Sequence, residues 1–581
     1  MKASEEKKRP WFDRKNIITI ICVSISLSFT VFFFSPIDIF LGNQREFSIN
    51  AYCIIIPLLL LAAAGSAALM LIMSLSLLNR TVYNVVTSIL FGLIPAFFVQ
   101  MMLFNGNLKI LDGDDGFLLY TQATPFNIFN AVVMYVIIVS PLVMTFLREK
   151  DPGGKGITGI ARGKAAAYLS VMIFVMELCG SAGMLISNGL VNTSREQYIY
   201  CFSLEPFMSV SEEENITVFL LDMLDGKWMN ETLERYPEMN ERLEGFTFYH
   251  NNISRYNYTI PSVACMLTNA EHNSNEDQYQ FLDRAWEEGS LPRTLSENGY
   301  RTNLLTAYQQ SFNEFSQISE CSNIVPVEIG SYRVNYMGKY GIVDTMVNLS
   351  LTKLVPYFFK SFFVLRTADV IGDDFLIFKA EIPDGLVQSV SPETDVLINE
   401  YFSGNQLRTD SEEKTFSFIH LYGAHGSSEE VSCLYPAYRE DPSPYNMYTT
   451  IRGDFESLFT YFDMMKELGV YDDSTIIIIA DHQQPSSVST ASLLIKPKGA
   501  ERIPLQHNSE AELSNEYFFP SILEYAGIDH SEYGYSYNDI IMSGNYPERY
   551  ITFNPMFADR KLYRVTGDAG DGSNWEEIPF E

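Results

Sequence analysis

Ile216-Thr217-Val218-Phe219-Leu220-Leu221-Asp222 is a short, almost unbroken apolar run closed by a carboxylate. A half-exposed strand would alternate apolar with polar residues, so this run predicts a strand buried on both faces. Similar runs follow at Thr415-Phe416-Ser417-Phe418-Ile419, at Thr475 to Ala480 and at Ala491-Ser492-Leu493-Leu494-Ile495. Helical patterns lie between them, most clearly from Tyr448 to Leu468, which stops at Gly469. Strands alternating with helices predict an α/β domain with a mainly parallel central sheet and helices on both faces. Each strand runs into a chemical side chain: Asp222 after the first, His420 after the second, Asp481-His482 after the third. Ligands of open α/β sheets collect at the carboxyl ends of strands.

The N-terminal third reads differently. Five long apolar runs, at about 17–35, 52–78, 82–104, 129–146 and 165–190, each have the length to cross a bilayer as a helix. Lys7, Lys8 and Arg9, then Arg80, then Arg148, Lys150, Lys155, Arg162 and Lys164 fall on one side of these spans. Asp38, Glu46 and the acidic loop Asp112, Asp114 and Asp115 fall on the other. Cationic loops stay in the cytoplasm, so the N-terminus is expected inside and, after five crossings, the remainder outside the cell. No small-residue cleavage pattern follows the first run, which is read as an uncleaved helix.

The expected organisation is a transmembrane bundle over 1–190, a juxtamembrane linker over 191–214, a catalytic domain over 215–540 and a small C-terminal β subdomain over 541–581. The last rests on two strand-like stretches, Glu548 to Phe553 and Arg560 to Val565, followed by Trp575. Of 40 Lys plus Arg and 71 Asp plus Glu, the first 190 residues hold 14 and 11, leaving 26 and 60 for the exported part. Such a surface repels nucleic acid over a Debye length of roughly 8 to 10 Å, so nucleic-acid binding is not expected. Cys201, Cys265, Cys321 and Cys433 lie outside the spans and admit either two disulfides or free buried thiols.

A second stretch carries the chemistry. In Tyr256-Asn257-Tyr258-Thr259-Ile260-Pro261-Ser262, a hydroxyl sits two positions before a proline able to open a helix. Such a hydroxyl is ordinarily an N-cap, yet the amides of a helix start also favour a bound phosphate. Asp222, Thr259, Asp481 and His482 together make a donor set for one divalent ion. Its oxygen content suits Mn²⁺ or Mg²⁺, and the imidazole admits Zn²⁺. A metal-bound Thr259 would be a prepared nucleophile toward phosphorus. His420 and His425, in His420-Leu421-Tyr422-Gly423-Ala424-His425-Gly426, are candidates for proton transfer and phosphate contact. His507 is a weaker candidate, and His250, His272 and His530 are read as structural.

These pieces resemble the sulfatase-type branch of the alkaline phosphatase superfamily and, with five preceding spans, the lipoteichoic acid synthase family of membrane phosphotransferases. The matching segments are Asn215 to Asp222, Tyr258 to Ser262, Leu295 to Thr302, His420 to Gly426, Ser474 to His482, and Leu493 to Gly499 leading to Phe519 to Gly527. The resemblance implies Asp222, Asp481 and His482 as metal ligands and Thr259 as the metal-bound nucleophile, with His425 and its neighbour His420 on the substrate phosphate. It also implies a membrane lipid as donor, phosphatidylglycerol-like, and a cell-envelope glycan or teichoic-acid-like polymer as acceptor of a phospho-alcohol group. The His-x-x-x-x-His loop resembles that of phosphoethanolamine transferases as well. Sulfatases carry Cys or Ser, matured to formylglycine, before x-Pro-x-Arg. Here Thr259 holds that position and Val263 follows Ser262, so sulfate-ester hydrolysis is not expected. The aromatic-x-Arg segment that binds glycerol phosphate in lipoteichoic acid synthases is absent from Leu304 to Glu314. A phosphodiesterase of the same superfamily, or a catalytically silent envelope-assembly protein, are the competing readings.

Overall fold

The computed structural model describes residues 14–42, 51–105, 124–150, 159–187, 198–273, 276–328, 336–360, 362–363, 382–411, 413–425, 447–485, 488–556 and 560–580. The basic N-terminal cluster, the Asp112 to Asp115 loop, Lys155, Gly426 and Cys433 lie outside these residues. The chain divides into two units, Met1–Glu196 with Gly330–Ala380, and Gln197–Ile329 with Glu381–Glu581.

In the first unit, five helices are long and apolar enough to cross a membrane: α1 Arg14–Gly42, α2 Ile54–Ser76, α3 Thr81–Phe104, α4 Pro125–Phe146 and α5 Lys164–Ser187. These match the five expected spans within a few residues. The first is central, with 61% of its most apolar window buried against 17–28% in the others. It packs on α2 and α5, while α3 pairs with α4. A π-helical turn interrupts α1 at Thr30–Phe34. The Thr30 hydroxyl donates across to buried Glu177 of α5, with the carboxylate oxygens 2.9 and 2.8 Å away. Large apolar side chains such as Ile56, Leu60, Leu103, Met144 and Ile186 are exposed, as a lipid-facing bundle requires.

The catalytic stretch expected to run unbroken from 215 to 540 is interrupted. Two further helices, α6 Tyr336–Leu354 and α7 Tyr357–Lys360, belong to the helical unit. Met346, Leu349 and Leu354 of α6 share one apolar cluster with Phe33, Phe34, Ile37 and Phe40 of α1 and Leu58 of α2. Burial of those side chains is what brings a mid-chain segment back to the bundle.

The second unit is built on a seven-stranded sheet. Its strands are β2 Asn215–Leu221, β3 Thr247–Tyr249, β4 Tyr300–Leu305, β7 Lys414–Leu421, β8 Ser474–Ile479, β9 Leu493–Lys496 and β10 Gln506–Asn508. They lie in the order β10-β3-β9-β8-β2-β7-β4. All run parallel except β9, which is antiparallel to both neighbours. The expected, mainly parallel sheet is therefore present with one reversed strand. β2, an interior strand between β8 and β7, is buried along its whole length. A three-stranded antiparallel sheet joins β1 Tyr198–Ser203 to β5 Ile324–Glu328 and β6 Leu386–Val387. The stretch expected as a linker thus forms β1, and Ser209–Ser211 pairs with Arg408–Ser411. Cys201 and Phe202 carry no exposure, so these strands are core rather than spacer.

At the C-terminus, β11 Arg549–Phe553, β12 Lys561–Val565 and β13 Trp575–Ile578 form the expected small antiparallel sheet. It also braces the loop before Thr259. The Thr552 amide donates to the Arg255 carbonyl at 2.9 Å, the Asn257 amide to the Thr552 carbonyl at 3.2 Å, and the Asn554 amide to Asn257 Oδ1 at 2.8 Å.

Candidate active site

The strand register decides where the chemistry lies. Leu421 of β7 pairs with Leu221 of β2, and Ile479 of β8 with Leu220. The three strands end level, and Asp222, Tyr422 and Asp481 leave the sheet along one rim. Asp222, Asp481 and His482 are buried there together, with one ligating atom of each within 4.8 Å of the others.

Each ligating atom is aimed by a second bond. His482 Nδ1 lies 2.7 Å from the Gln483 carbonyl, which can only accept, so Nδ1 carries the hydrogen and Nε2 keeps its lone pair. Nε2 is 3.5 Å from Asp481 Oδ2 and 3.8 Å from Asp222 Oδ1. Asp481 Oδ1 accepts from the amides of Met223 at 2.9 Å and His482 at 2.8 Å. Met223 adopts a left-handed φ of 55° at the end of β2. Asn515 holds the Asp481 backbone, its side-chain amide donating to the carbonyls of Ala480 and Asp481.

What remains unpartnered points to a cation. Asp222 Oδ1 and Asp481 Oδ2 are buried without a hydrogen-bond partner among the described residues, although buried polar atoms are nearly always satisfied. Burial, and then the neighbouring Asp222 carboxylate, push Asp481 above the ordinary carboxyl range. Burial pushes Asp222 up too, but hydrogen bonding to His420 and the charges of the surrounding histidines outweigh it and leave that carboxyl low. Two buried carboxylates this close repel unless positive charge lies between them. Asp222, Asp481 and His482 could hold a metal ion on their donor chemistry.

Thr259 faces this group. Its Oγ1 is 3.2 Å from Asp222 Oδ2 and 3.4 Å from His482 Nε2. The helix Thr259–Thr268 begins at Thr259 itself, two residues before the proline, with Tyr258 as N-cap and no side-chain cap bond. The capping reading of Thr259 is thereby replaced, because the hydroxyl turns to the acidic cluster instead of its own helix. Ser262 donates to the Tyr256 carbonyl at 3.0 Å and supports the loop.

The two loop histidines part company. His420 is wholly buried, its Nε2 3.5 Å from Asp222 Oδ2 and its Nδ1 3.1 Å from Thr306 Oγ1. It faces the cluster rather than solvent. His425 is exposed and its Nδ1 is 3.0 Å from the Tyr422 hydroxyl. The turn between them is fixed by a residue that sequence reasoning missed. Asp395, buried in α8 Pro392–Gly404, accepts from the amides of Tyr422 at 2.9 Å and Gly423 at 3.0 Å. Gly423 has φ 58°, and a Cβ there would meet the Asp222 amide nitrogen at 2.9 Å. No local pattern marks Asp395; a glycine just past a strand and ahead of a histidine was the available signal for the turn. Among the other histidines, His250 and His507 bond each other at 2.8 Å and His530 bonds Asp539 at 2.9 Å. Cys201, Cys265 and Cys321 are buried free thiols.

The family profile for sulfatase matches residues 225–528, over half of the chain. The chain belongs to the sulfatase family. Members of its superfamily are metal-dependent, in keeping with the buried acidic and histidine group. No curated protein sequence matches this one. Among solved structures, a protein of the alkaline phosphatase superfamily from Vibrio parahaemolyticus is similar at 12% identity and a TM-score of 0.36, over 67% of this chain and 87% of that one. The lipoteichoic acid synthase LtaP from Listeria monocytogenes is similar at 12% identity and a TM-score of 0.35, over 64% and 85%. The phosphonate monoester hydrolase SpPMH from Silicibacter pomeroyi is similar at 14% identity and a TM-score of 0.35, over 63% and 88%.

Proposed function

We propose that this sulfatase-family chain is a membrane-anchored, metal-dependent phosphotransferase. It moves a phospho-alcohol group, phosphoglycerol-like, from a lipid donor to a cell-envelope glycan or teichoic-acid-like acceptor. In this reading the N-terminus is cytoplasmic and the catalytic unit extracellular. The observation that carries it is the Thr259 hydroxyl, 3.2 Å from Asp222 Oδ2 and 3.4 Å from His482 Nε2 at the first turn of a helix.

The reaction is two displacements at phosphorus. Thr259 Oγ gives up its proton and attacks the donor phosphodiester, a P–Oγ bond forms, and the bond to the donor alcohol breaks as that alcohol takes up a proton. The acceptor hydroxyl then attacks, loses its proton, and the P–Oγ bond breaks to restore Thr259. A divalent ion held by Asp222, Asp481 and His482, Mn²⁺ or Mg²⁺ or Zn²⁺, would lower the pKa of the threonine hydroxyl and offset phosphate charge. The amides of Thr259 and Ile260, at the start of the helix and ahead of Pro261, would supply hydrogen bonds to the phosphoryl oxygens. His425, exposed on the turn after β7, is the group in position to hold or deliver a proton. The five apolar helices give this chemistry its setting, since an anchored site meets a lipid donor in two dimensions and at raised effective concentration.

Thr259 also separates this reading from sulfate-ester hydrolysis, because a threonine cannot mature to formylglycine. Incubating the purified full chain with an aryl phosphodiester and increasing concentrations of an acceptor alcohol tests the proposal. Transfer product must rise at the expense of hydrolysis product. An unchanging, purely hydrolytic product would instead make the protein a phosphodiesterase.

A further inference from the structure

The helices α6 and α7 have no part in the chemistry above. The chain leaves the helical unit after Glu196, re-enters it after Ile329 and leaves it again after Ala380, and α6 and α7 lie in that second passage. Their contacts are those of a segment that lies at membrane depth. The non-helical joint at Val355 and Pro356 leaves backbone groups that water would ordinarily satisfy, and here side chains do it. Asn105 Nδ2 donates to the Lys353 carbonyl at 2.7 Å, and the buried Lys360 ammonium donates to the Thr352 carbonyl. The Tyr357 amide donates to Asn130 Oδ1 at 3.0 Å and the Tyr357 hydroxyl to the Phe104 carbonyl at 3.0 Å. Gln100 completes the network, accepting from Asn130 Nδ2 and donating to Asn105 Oδ1. Lys353 pairs with Asp38 of α1. Irregular backbone survives at membrane depth only with such internal partners.

Among the described residues, the same segment exposes aromatic side chains. Phe359 is 54% exposed and Phe362 77%. The short helix that carries Phe359 packs against the start of α4, where the Tyr357 ring meets the exposed Phe126 edge-on at 5.3 Å and Phe104 lies 6.1 Å from both Phe126 and the exposed Phe129. Phe104 ends α3 and Phe126 opens α4, so the aromatic group marks one end of the spans, the level at which rings gather in membrane proteins. We propose that α6 and α7 form a membrane-interface hairpin that inserts Phe359 and Phe362 into the headgroup and acyl boundary of the leaflet on the side where α1 and α3 end. The occupant of this surface is lipid, because α7 packs at the end of α4, an apolar helix long enough to cross a membrane whose Phe126 and Phe129 are exposed there too. The catalytic chain is then returned to the bilayer by an internal segment as well as by its N-terminal spans, which rests on the bundle crossing a membrane and not on phosphotransfer.

Benzoylphenylalanine placed in the full chain at Phe359 or Phe362, in phosphatidylglycerol and phosphatidylethanolamine vesicles, tests this by photocrosslinking and mass analysis. Phe129, on the exposed face of α4, is the positive reference. Met542, 85% exposed in the sheet unit, is the negative one. Lipid adducts at Phe359 and Phe362 comparable with Phe129 and at least about tenfold above Met542 are expected. Adducts at Phe129 alone, equal labelling at Met542, or crosslinks from Phe362 to a second protein chain would overturn it.

Discussion

The Thr259 hydroxyl lies 3.2 Å from Oδ2 of Asp222, joining the first turn of one helix to the carboxyl end of the interior strand β2. Among the described residues the hydroxyl otherwise reaches only His482, so removing it takes little from the fold. Thr259→Ala is expected to fall in kcat by about 10³-fold or more. Its melting temperature should stay close to that of the parent, and Thr259→Ser should keep part of the activity. Comparable losses of kcat and melting temperature in Thr259→Ala would mean a structural residue.

Metal removal should show in stability as well as rate. An ion that binds the folded state alone contributes about 2.7 kcal/mol when present at about 100 times its dissociation constant. Chelation is therefore expected to lower the melting temperature and abolish turnover, with both restored on adding Mn²⁺. Asp481→Asn, which alters an orphaned oxygen of the cluster, should remove the metal response of the melting curve.

Asn257 links the C-terminal sheet to the nucleophile loop, its amide bonded to Thr552 and its Oδ1 to the Asn554 amide. Asn257→Ala removes the Oδ1 acceptor of the half-buried Asn554 amide and is expected to cost about 1 kcal/mol. As a positioning residue it should lower kcat more than it changes KM, whereas a purely structural role would leave kcat per folded molecule intact. Steady-state kinetics on the folded fraction decide between them.

A pH effect follows from two acids beneath the histidine turn. Burial, then the nearby Asp395, raise Asp454 of α9 Met447–Leu468 well above the ordinary carboxyl range. Burial raises Asp395 to about 7 against the two amides that bond it. A carboxyl with a raised folded pKa binds more protons folded than unfolded, so its contribution to stability falls as pH rises from the unfolded value toward the folded one. Both Asp454 carboxylate oxygens are unpartnered. Asp454→Asn is expected to gain on the order of 1–3 kcal/mol over the parent near about pH 8, shrinking toward about pH 5. Thermal melting across that range would read a pH-independent difference if the burial argument fails.

Strand ends were legible in the sequence because the fully buried strands are continuous apolar runs, with Asp222 and Asp481 at their breaks; His420, expected just past its strand, is instead the penultimate residue of β7, paired with Leu220 of β2. The reversal of β9 was not, since Ala491 to Ile495 is equally apolar read in either direction. Nor was the return of α6 to the bundle. Lys339, Asp344, Asn348 and Lys353 interrupt its apolar residues, and its burial depends on α1 and α2 far away in the chain. Thr259 was legible as a helix-start hydroxyl but not in its aim, which depends on Asp222 and His482 arriving from other strands. Asp395 acts through the backbone amides of Tyr422 and Gly423 and the Asn257 side chain through that of Asn554, a role that any loop-adjacent polar residue could fill.

The central claim is a covalent phosphoryl group on Thr259. Brief exposure of the full chain to a phosphatidylglycerol-type donor without acceptor, followed by quenching and peptide mass analysis, reads it directly. A phospho-alcohol adduct on the peptide containing Thr259, lost on adding acceptor and absent from Thr259→Ala, is the predicted result. Turnover of the donor with Thr259 unmodified at every time point, and retained in Thr259→Ala, would contradict it.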